Sequence, residues 1–109
     1  MQVKERRIIM LQLSNGKIPF ESWYERLDQI SQRAVDARLT RIAVGNFGDH
    51  KSVGAGVFEL RIPTGPGLRV YYGLKSNELV VLLGGGDKGS QRKDIDKAKE
   101  LWRKSSNER

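Results

Sequence analysis

The sequence predicts one α+β domain, with elements in the order β-α-α-β-β-β-α and a mostly antiparallel sheet. Three observations carry this. Apolar residues recur at helical spacing in two neighbouring segments of the N-terminal half, and once more near the C-terminus. Between them, two short segments alternate apolar and polar residues at the strand period. Turn-forming clusters separate those segments so closely that consecutive strands should pair as a meander. At 109 residues the chain supports a single domain over 1–109, with its core in about residues 7–102 and a polar tail at 103–109.

Arg7 to Leu13 is apolar-rich and closed by the turn signal Ser14-Asn15-Gly16, which predicts a first strand. Pro19 suits a first helical position. Phe20, Trp23, Tyr24, Leu27 and Ile30 then predict an amphipathic helix over 20–31. A second helix follows, with Val35, Leu39 and Ile42 on one face and Arg33, Arg38 and Arg41 off it, stopping at Gly45-Asn46. The short link between them predicts a helical hairpin. After Gly48 the pattern changes, and Gly54 and Gly56 mark a loop. Val57 to Ile62 alternates, with Phe58, Leu60 and Ile62 on one face and Glu59 and Arg61 on the other. The turn Pro63-Thr64-Gly65-Pro66-Gly67 leads into Leu68 to Leu74, where Leu68, Val70, Tyr72 and Leu74 oppose Arg69 and Tyr71. Ser76-Asn77 turns the chain into Leu79 to Leu83, apolar on both faces and therefore a central, covered strand that Gly84-Gly85-Gly86 should end. Ile95, Ala98, Leu101 and Trp102 mark a last helix with Ser90 at its cap, and the tail Lys104 to Arg109 should fray.

Charge narrows the partners. Twenty Lys and Arg against 13 Asp and Glu leave a net +7, a balance that suits a polyanion or an acidic protein. With no cysteine there is no disulfide framework and no thiolate metal site. One histidine and no acidic cluster at ligand spacing argue against zinc, and no cofactor is expected. Leu79 to Leu83 is too short to span a bilayer, and the charged start Met1 to Arg7 does not resemble a signal peptide. These features predict a cytoplasmic protein with no membrane partner.

Several residues have the chemistry to meet RNA. If the two alternating strands form a hairpin, Arg61 and Arg69 reach the same sheet face, and Tyr71 shares it by parity. Guanidinium groups fork onto phosphate, and a phenol ring offers a stacking plate. The same pattern also suits a solvated face with Arg61 merely paired to Glu59. The run Gly84 to Gly89 matches G-x-G-x-x-G, but no later strand completes a βαβ unit, and Gly89 after Lys88 excludes a Walker A loop. What remains is either an anion site, made of backbone N–H groups, a helix N-terminus and Lys88, or a turn that only reverses the chain. His50 stands in Asp49-His50-Lys51, read as a loop before the second strand, either solvent-exposed or acting in acid–base chemistry.

The ordered set Gly45-Asn46-Phe47-Gly48-Asp49, Val53-Gly54-Ala55-Gly56-Val57, Glu59-Leu60-Arg61-Ile62, Gly65-Pro66-Gly67-Leu68-Arg69-Val70-Tyr71-Tyr72 and Gly85-Gly86-Asp87-Lys88, with Gln91 and Asp94-Ile95, resembles the RelE/HigB-like addiction module killer proteins. The resemblance runs from about Phe20 to Trp102. It implies a toxin of a type II toxin–antitoxin pair that cuts mRNA on the ribosome without a metal. It also implies a helix-turn-helix antitoxin as partner. The implied fold is a mostly antiparallel sheet with a helical hairpin on one face and an open RNA-binding face on the other. Arg69 matches the family's strand arginine before the Val-Tyr pair and would hold the scissile phosphate, with Arg61 assisting. Lys88 and Lys51 would add phosphate contact or proton transfer, and His50 would be an acid or base. The chain departs from branches that carry a C-terminal His-Tyr pair, having Asp87-Lys88 near that place. A ParE-like inhibitor of DNA gyrase and a non-catalytic nucleic-acid-binding module are the alternative functions.

Overall fold

The computed structural model describes residues 5–107. Met1 to Lys4, part of the charged start, and Glu108-Arg109 of the tail lie outside the described residues. The chain forms β1 (Arg7–Met10), α1 (Pro19–Glu25), α2 (Gln29–Ala43), β2 (His50–Gly54), β3 (Val57–Ile62), β4 (Leu68–Lys75), β5 (Leu79–Gly86) and α3 (Gln91–Asn107), the last entered through a 3-10 turn at Lys88–Ser90. The strands make one five-stranded sheet in the order β1-β5-β4-β3-β2. β2 to β5 form an antiparallel meander, while β1 pairs parallel to β5. The architecture is therefore α+β with a mixed sheet.

Four elements depart from the sequence-based expectation, each for a local reason. His50 to Gly54 is an edge strand, not a loop; its polar residues carry no apolar alternation because most of them face solvent. The expected helix over 20–31 is two helices, since Asp28 turns extended and its carboxylate accepts from the Ser31 N–H at 2.7 Å, capping α2. Gly84 to Gly86 continue β5 instead of ending it. The tail stays helical through Asn107, with Lys104 paired to Glu100 at 3.0 Å one turn earlier.

Both sheet faces are covered. Phe20 and Trp23 of α1 and Val35 and Ile42 of α2 pack on Leu60, Ile62, Val70, Tyr72, Val80 and Leu82. On the opposite face, α3 lays Ala98, with Ile95 and Trp102 beside it, on Val57, Tyr71, Val81 and Leu83. The face expected to be open thus carries α3, because Ala98, Ile95 and Trp102 form an apolar stripe that needs a partner. Arg38, expected on the polar side of α2, is 9% exposed. It donates to the carbonyls of Phe47, Asp49 and Arg61, tying the loop before β2 to the end of β3.

Two glycines of the sheet exist to admit indole rings. A Cβ on Gly73 would lie 2.6 Å from Trp102, and one on Gly85 would lie 2.3 Å from Trp23. Gly85→Ala should therefore destabilise the domain by about 1–3 kcal/mol through overpacking. A melting curve checks this, with an expected fall of roughly 4–20 °C for a domain of this size. An unchanged midpoint would show that Trp23 moves aside freely.

Candidate functional site

The pairing of β3 with β4 sets Arg61 directly across from Arg69, and Glu59 across from Tyr71. β2 adds Lys51 opposite Glu59. Side chains of paired residues emerge on one face, so Lys51, Glu59, Arg61, Arg69 and Tyr71 share the face that α3 partly covers.

Glu59 is the hub. It is fully buried, yet its carboxylate is well supplied with donors. Gln91 at the start of α3 donates to Oε2 at 2.8 Å, and the Tyr71 hydroxyl donates to the same oxygen at 3.1 Å. Arg61 Nε donates to Oε1 at 3.2 Å. Arg69 Nε lies 3.6 Å from Oε2, an ion pair too long for a hydrogen bond. Burial pushes the Glu59 carboxyl upward, but the bonds from Gln91, Arg61 and Tyr71 and the charge of Arg69 outweigh it. The net effect holds the group below its usual value of 4.5, ionised at neutral pH. Burial and the neighbouring Glu59 charge push the Tyr71 hydroxyl up, so it stays protonated and keeps donating.

This has a consequence for stability. A carboxyl with a depressed folded pKa binds fewer protons folded than unfolded, so its contribution is complete above its ordinary value and is lost as pH falls through the folded value. Glu59 should thus stabilise the domain fully above about pH 4.5 and progressively less below it. Urea unfolding against pH checks the sign: wild-type stability should fall across this acid range more steeply than that of Glu59→Gln. Parallel curves would remove Glu59 from the acid response.

Arg61 commits its Nε to the hub by a hydrogen bond, while Arg69 Nε, buried without a hydrogen-bond partner, faces it only across the ion pair; both keep terminal nitrogens for other contacts. The Arg61 side chain is 40% exposed, and neither of its Nη atoms has a partner among the described residues. The Arg69 side chain is 12% exposed and donates from Nη1 to the Gly67 carbonyl at 2.8 Å. Arg61 and Arg69 line one hollow of about 210 Å³ with Asp49 and the turn residues Pro63 and Gly67. The stem of Lys88 lies beside the same turn: a Cβ on Gly67 would meet Arg69 Nη1 at 3.2 Å and Lys88 Cβ at 3.7 Å. Two guanidinium groups and the stem of Lys88 therefore flank one turn, with Glu59 beneath to hold the guanidinium pair in place.

No family model matches the chain. An uncharacterized protein of Haemophilus influenzae is 49% identical over 85 residues, which are 77% of this chain and 86% of that protein. The two belong to one family.

In this member of the family, the residues expected from sequence divide into two groups. Arg61 and Arg69 come together at the hollow, the stem of Lys88 lies beside the turn at Gly67, and Lys51 shares the sheet face of the two arginines. The pairing of Arg61 with Glu59, weighed as the plain alternative, is present as well. Tyr71 lies on the expected face but is 1% exposed beneath α3, so its ring is not a stacking plate. His50 pairs with Leu60 in register and so lies on the opposite face from the arginines. There its Nδ1 is 3.0 Å from the Tyr72 hydroxyl and its ring stacks on Phe47.

Of the two readings of the glycine-rich segment, an anion site or a turn, its N–H groups fit the turn. The N–H groups of Gly89 and Ser90 are taken by the Asp87 carboxylate at 2.8 and 3.2 Å, so the chain's own anion fills the place. Among the described residues no group of three His, Cys, Asp or Glu could hold a metal ion, and no helix is long and apolar enough to cross a membrane. Sequence reasoning missed Glu59 as the hub, and Gln91 and Arg38 as supports. The signal for Glu59 was its parity, because it stands two residues from Arg61 on one strand and faces the same way.

Proposed function

We propose that the chain is a toxin of a type II toxin–antitoxin system, a metal-independent endoribonuclease that cuts mRNA on the ribosome, built on a RelE-like form of this α+β fold. The observation that carries the reading is the hollow shared by Arg61 and Arg69 with an ionised Glu59 fixed between their Nε atoms. A carboxylate so placed stops two guanidinium groups from turning apart, and leaves both Arg61 Nη atoms and Arg69 Nη2 to one external oxyanion, Arg69 Nη1 being held by the Gly67 carbonyl. The extensive resemblance in ordered segments from Phe20 to Trp102 supports the same reading.

RNA supplies its own nucleophile. The 2′-oxygen attacks the adjacent phosphorus, the bond from phosphorus to the 5′-oxygen breaks, and a 2′,3′-cyclic phosphate forms. The 2′-hydroxyl proton passes to solvent water and another proton reaches the departing 5′-oxygen. Charge gathers on the non-bridging oxygens between these events, and fixed cations stabilise it most at that stage. Arg61 and Arg69 take that role. Lys88, whose stem lies beside the Gly67 turn, delivers a proton to the leaving oxygen or adds a further phosphate contact, and Lys51 holds a neighbouring phosphate. Glu59 is a positioning residue, since burial beneath Tyr71 and Gln91 keeps it from the RNA. His50, on the far face, takes no part. The partner in the cell is a helix-turn-helix antitoxin, and the site of action is the cytoplasmic ribosome.

The test is direct. Purified protein is mixed with translating ribosomes and the new mRNA ends are mapped, while DNA gyrase supercoiling is assayed in parallel. Cuts within codons are expected. Blocked supercoiling without cuts would move the assignment to a gyrase inhibitor. Neither effect would leave a nucleic-acid-binding module.

A further inference from the structure

A second cationic feature lies beside the hollow. β2 and the near side of α3 enclose a groove of about 410 Å³ lined by Lys51, Ser52, Val53, Gln91, Arg92, Ile95, Asp96 and Lys99. Three cations line it against one carboxylate. Among the described residues, the side chains of Lys51, Arg92 and Lys99 make no ion pair and no hydrogen bond. Lys99 leans over the end of β2, where a Cβ on Gly54 would lie 3.4 Å from its Nζ. Unneutralised like charges along one groove repel each other, and a polyanion that enters relieves this.

We propose that this groove is a track for the sugar–phosphate backbone of single-stranded RNA, continuous with the hollow at Arg61 and Arg69; the proposal deepens the RNA reading above and rests on it. Continuity comes through Glu59, which holds Arg61 and Arg69 and is bordered by two residues of the groove. Lys51 lies directly across from Glu59 in the β2–β3 register, so the groove opens on the same face as the hub. Gln91 lines the groove and also donates to Glu59. A strand with one phosphate at Arg61 and Arg69 therefore runs on past Lys51 to Arg92 and Lys99. The lining favours RNA over a protein partner. Protein interfaces centre on aromatic and apolar anchors, and this groove offers only Val53 and Ile95 among polar and charged side chains.

The experiment measures binding of a fluorescein-labelled single-stranded RNA to the full chain by anisotropy over a range of salt. Wild type is compared with the triple change Lys51→Glu, Arg92→Glu, Lys99→Glu, and with the milder set Lys51→Gln, Arg92→Gln, Lys99→Gln. Each phosphate neutralised on a single strand contributes about 0.7 to the slope of log affinity against log salt. Loss of three contacts should lower the slope by about 2 and the affinity by more than roughly tenfold at low salt, with the glutamine set in between. Circular dichroism establishes that each variant is folded. Wild type that does not bind RNA, or folded variants that bind as wild type does, would overturn the track. Polyglutamate that binds the groove as tightly as the RNA would overturn the nucleic-acid assignment. The outcomes separate from those of the nuclease reading: an intact track in a protein that never cuts ribosome-bound message leaves the groove and removes the enzyme.

Discussion

Arg69→Ala is expected to give a folded protein that cuts message about 100- to 1,000-fold more slowly and no longer arrests growth. The size follows from the role. A preorganised donor aimed at charge that develops during the reaction acts where water is scarce, and the Arg69 side chain is only 12% exposed. The fold should survive because Glu59 keeps Arg61, Tyr71 and Gln91 as partners. Loss of one polar partner costs about 1–3 kcal/mol, which a domain stable by about 5–15 kcal/mol withstands. The check pairs a growth assay and message-end mapping with a melting curve. Retained toxicity in folded Arg69→Ala protein would remove Arg69 from the mechanism.

Val81→Asp should unfold the domain. Val81 is 2% exposed in β5, pairs with Gly73 of β4 and Ile9 of β1, and belongs to the cluster under α3. A carboxylate there would have to remain neutral or pull water between α3 and the sheet. Burying even a neutral polar group without a partner costs several kcal/mol, comparable with the whole stability of a domain this small. Far-ultraviolet circular dichroism and urea unfolding should show loss of the cooperative transition. Val81→Ile, which keeps the site apolar, should retain it. A cooperative transition near the wild-type midpoint in Val81→Asp would mean that α3 does not seal this face.

How far the sequence could be read depended on what each pattern encodes. Strand parity alone puts Arg61 and Arg69 on one face, and the structure pairs them in register. Parity does not say what covers a face. Tyr71 therefore looked available for stacking, yet the apolar stripe of α3 buries it. The apolar period also runs straight from Phe20 to Ile30, so Asp28 was easily passed over as one more polar residue. Its bond to the Ser31 N–H, a single local contact, is what divides two helices. The triple glycine read as a chain breaker, whereas two of its members make room: Gly85 for Trp23 and Gly86 for Asp94. That reason lies in side chains far along the sequence. β1 is similar, since nothing local declares that Arg7–Met10 will lie parallel to β5 on its outer side.

The hub was hidden for a related reason. A glutamate two residues from an arginine reads as a surface pair on a strand. The start of α3 turns it into a buried carboxylate, because Gln91 arrives over the strand to complete its bonds. The same helix then forms one wall of the cationic groove. The order of elements was therefore more legible than the site, whose character depends on where the last helix docks.

The central claim, that Arg61 and Arg69 grip one RNA phosphate together, is tested most directly by a double-mutant cycle on ribosome-dependent cleavage, with rates for wild type, Arg61→Ala, Arg69→Ala and the double variant. Groups that act as a unit are strongly non-additive. The account predicts that either single change removes most of the rate and that the second adds little. Two losses that multiply independently, or a double variant that cuts as fast as wild type, would contradict it.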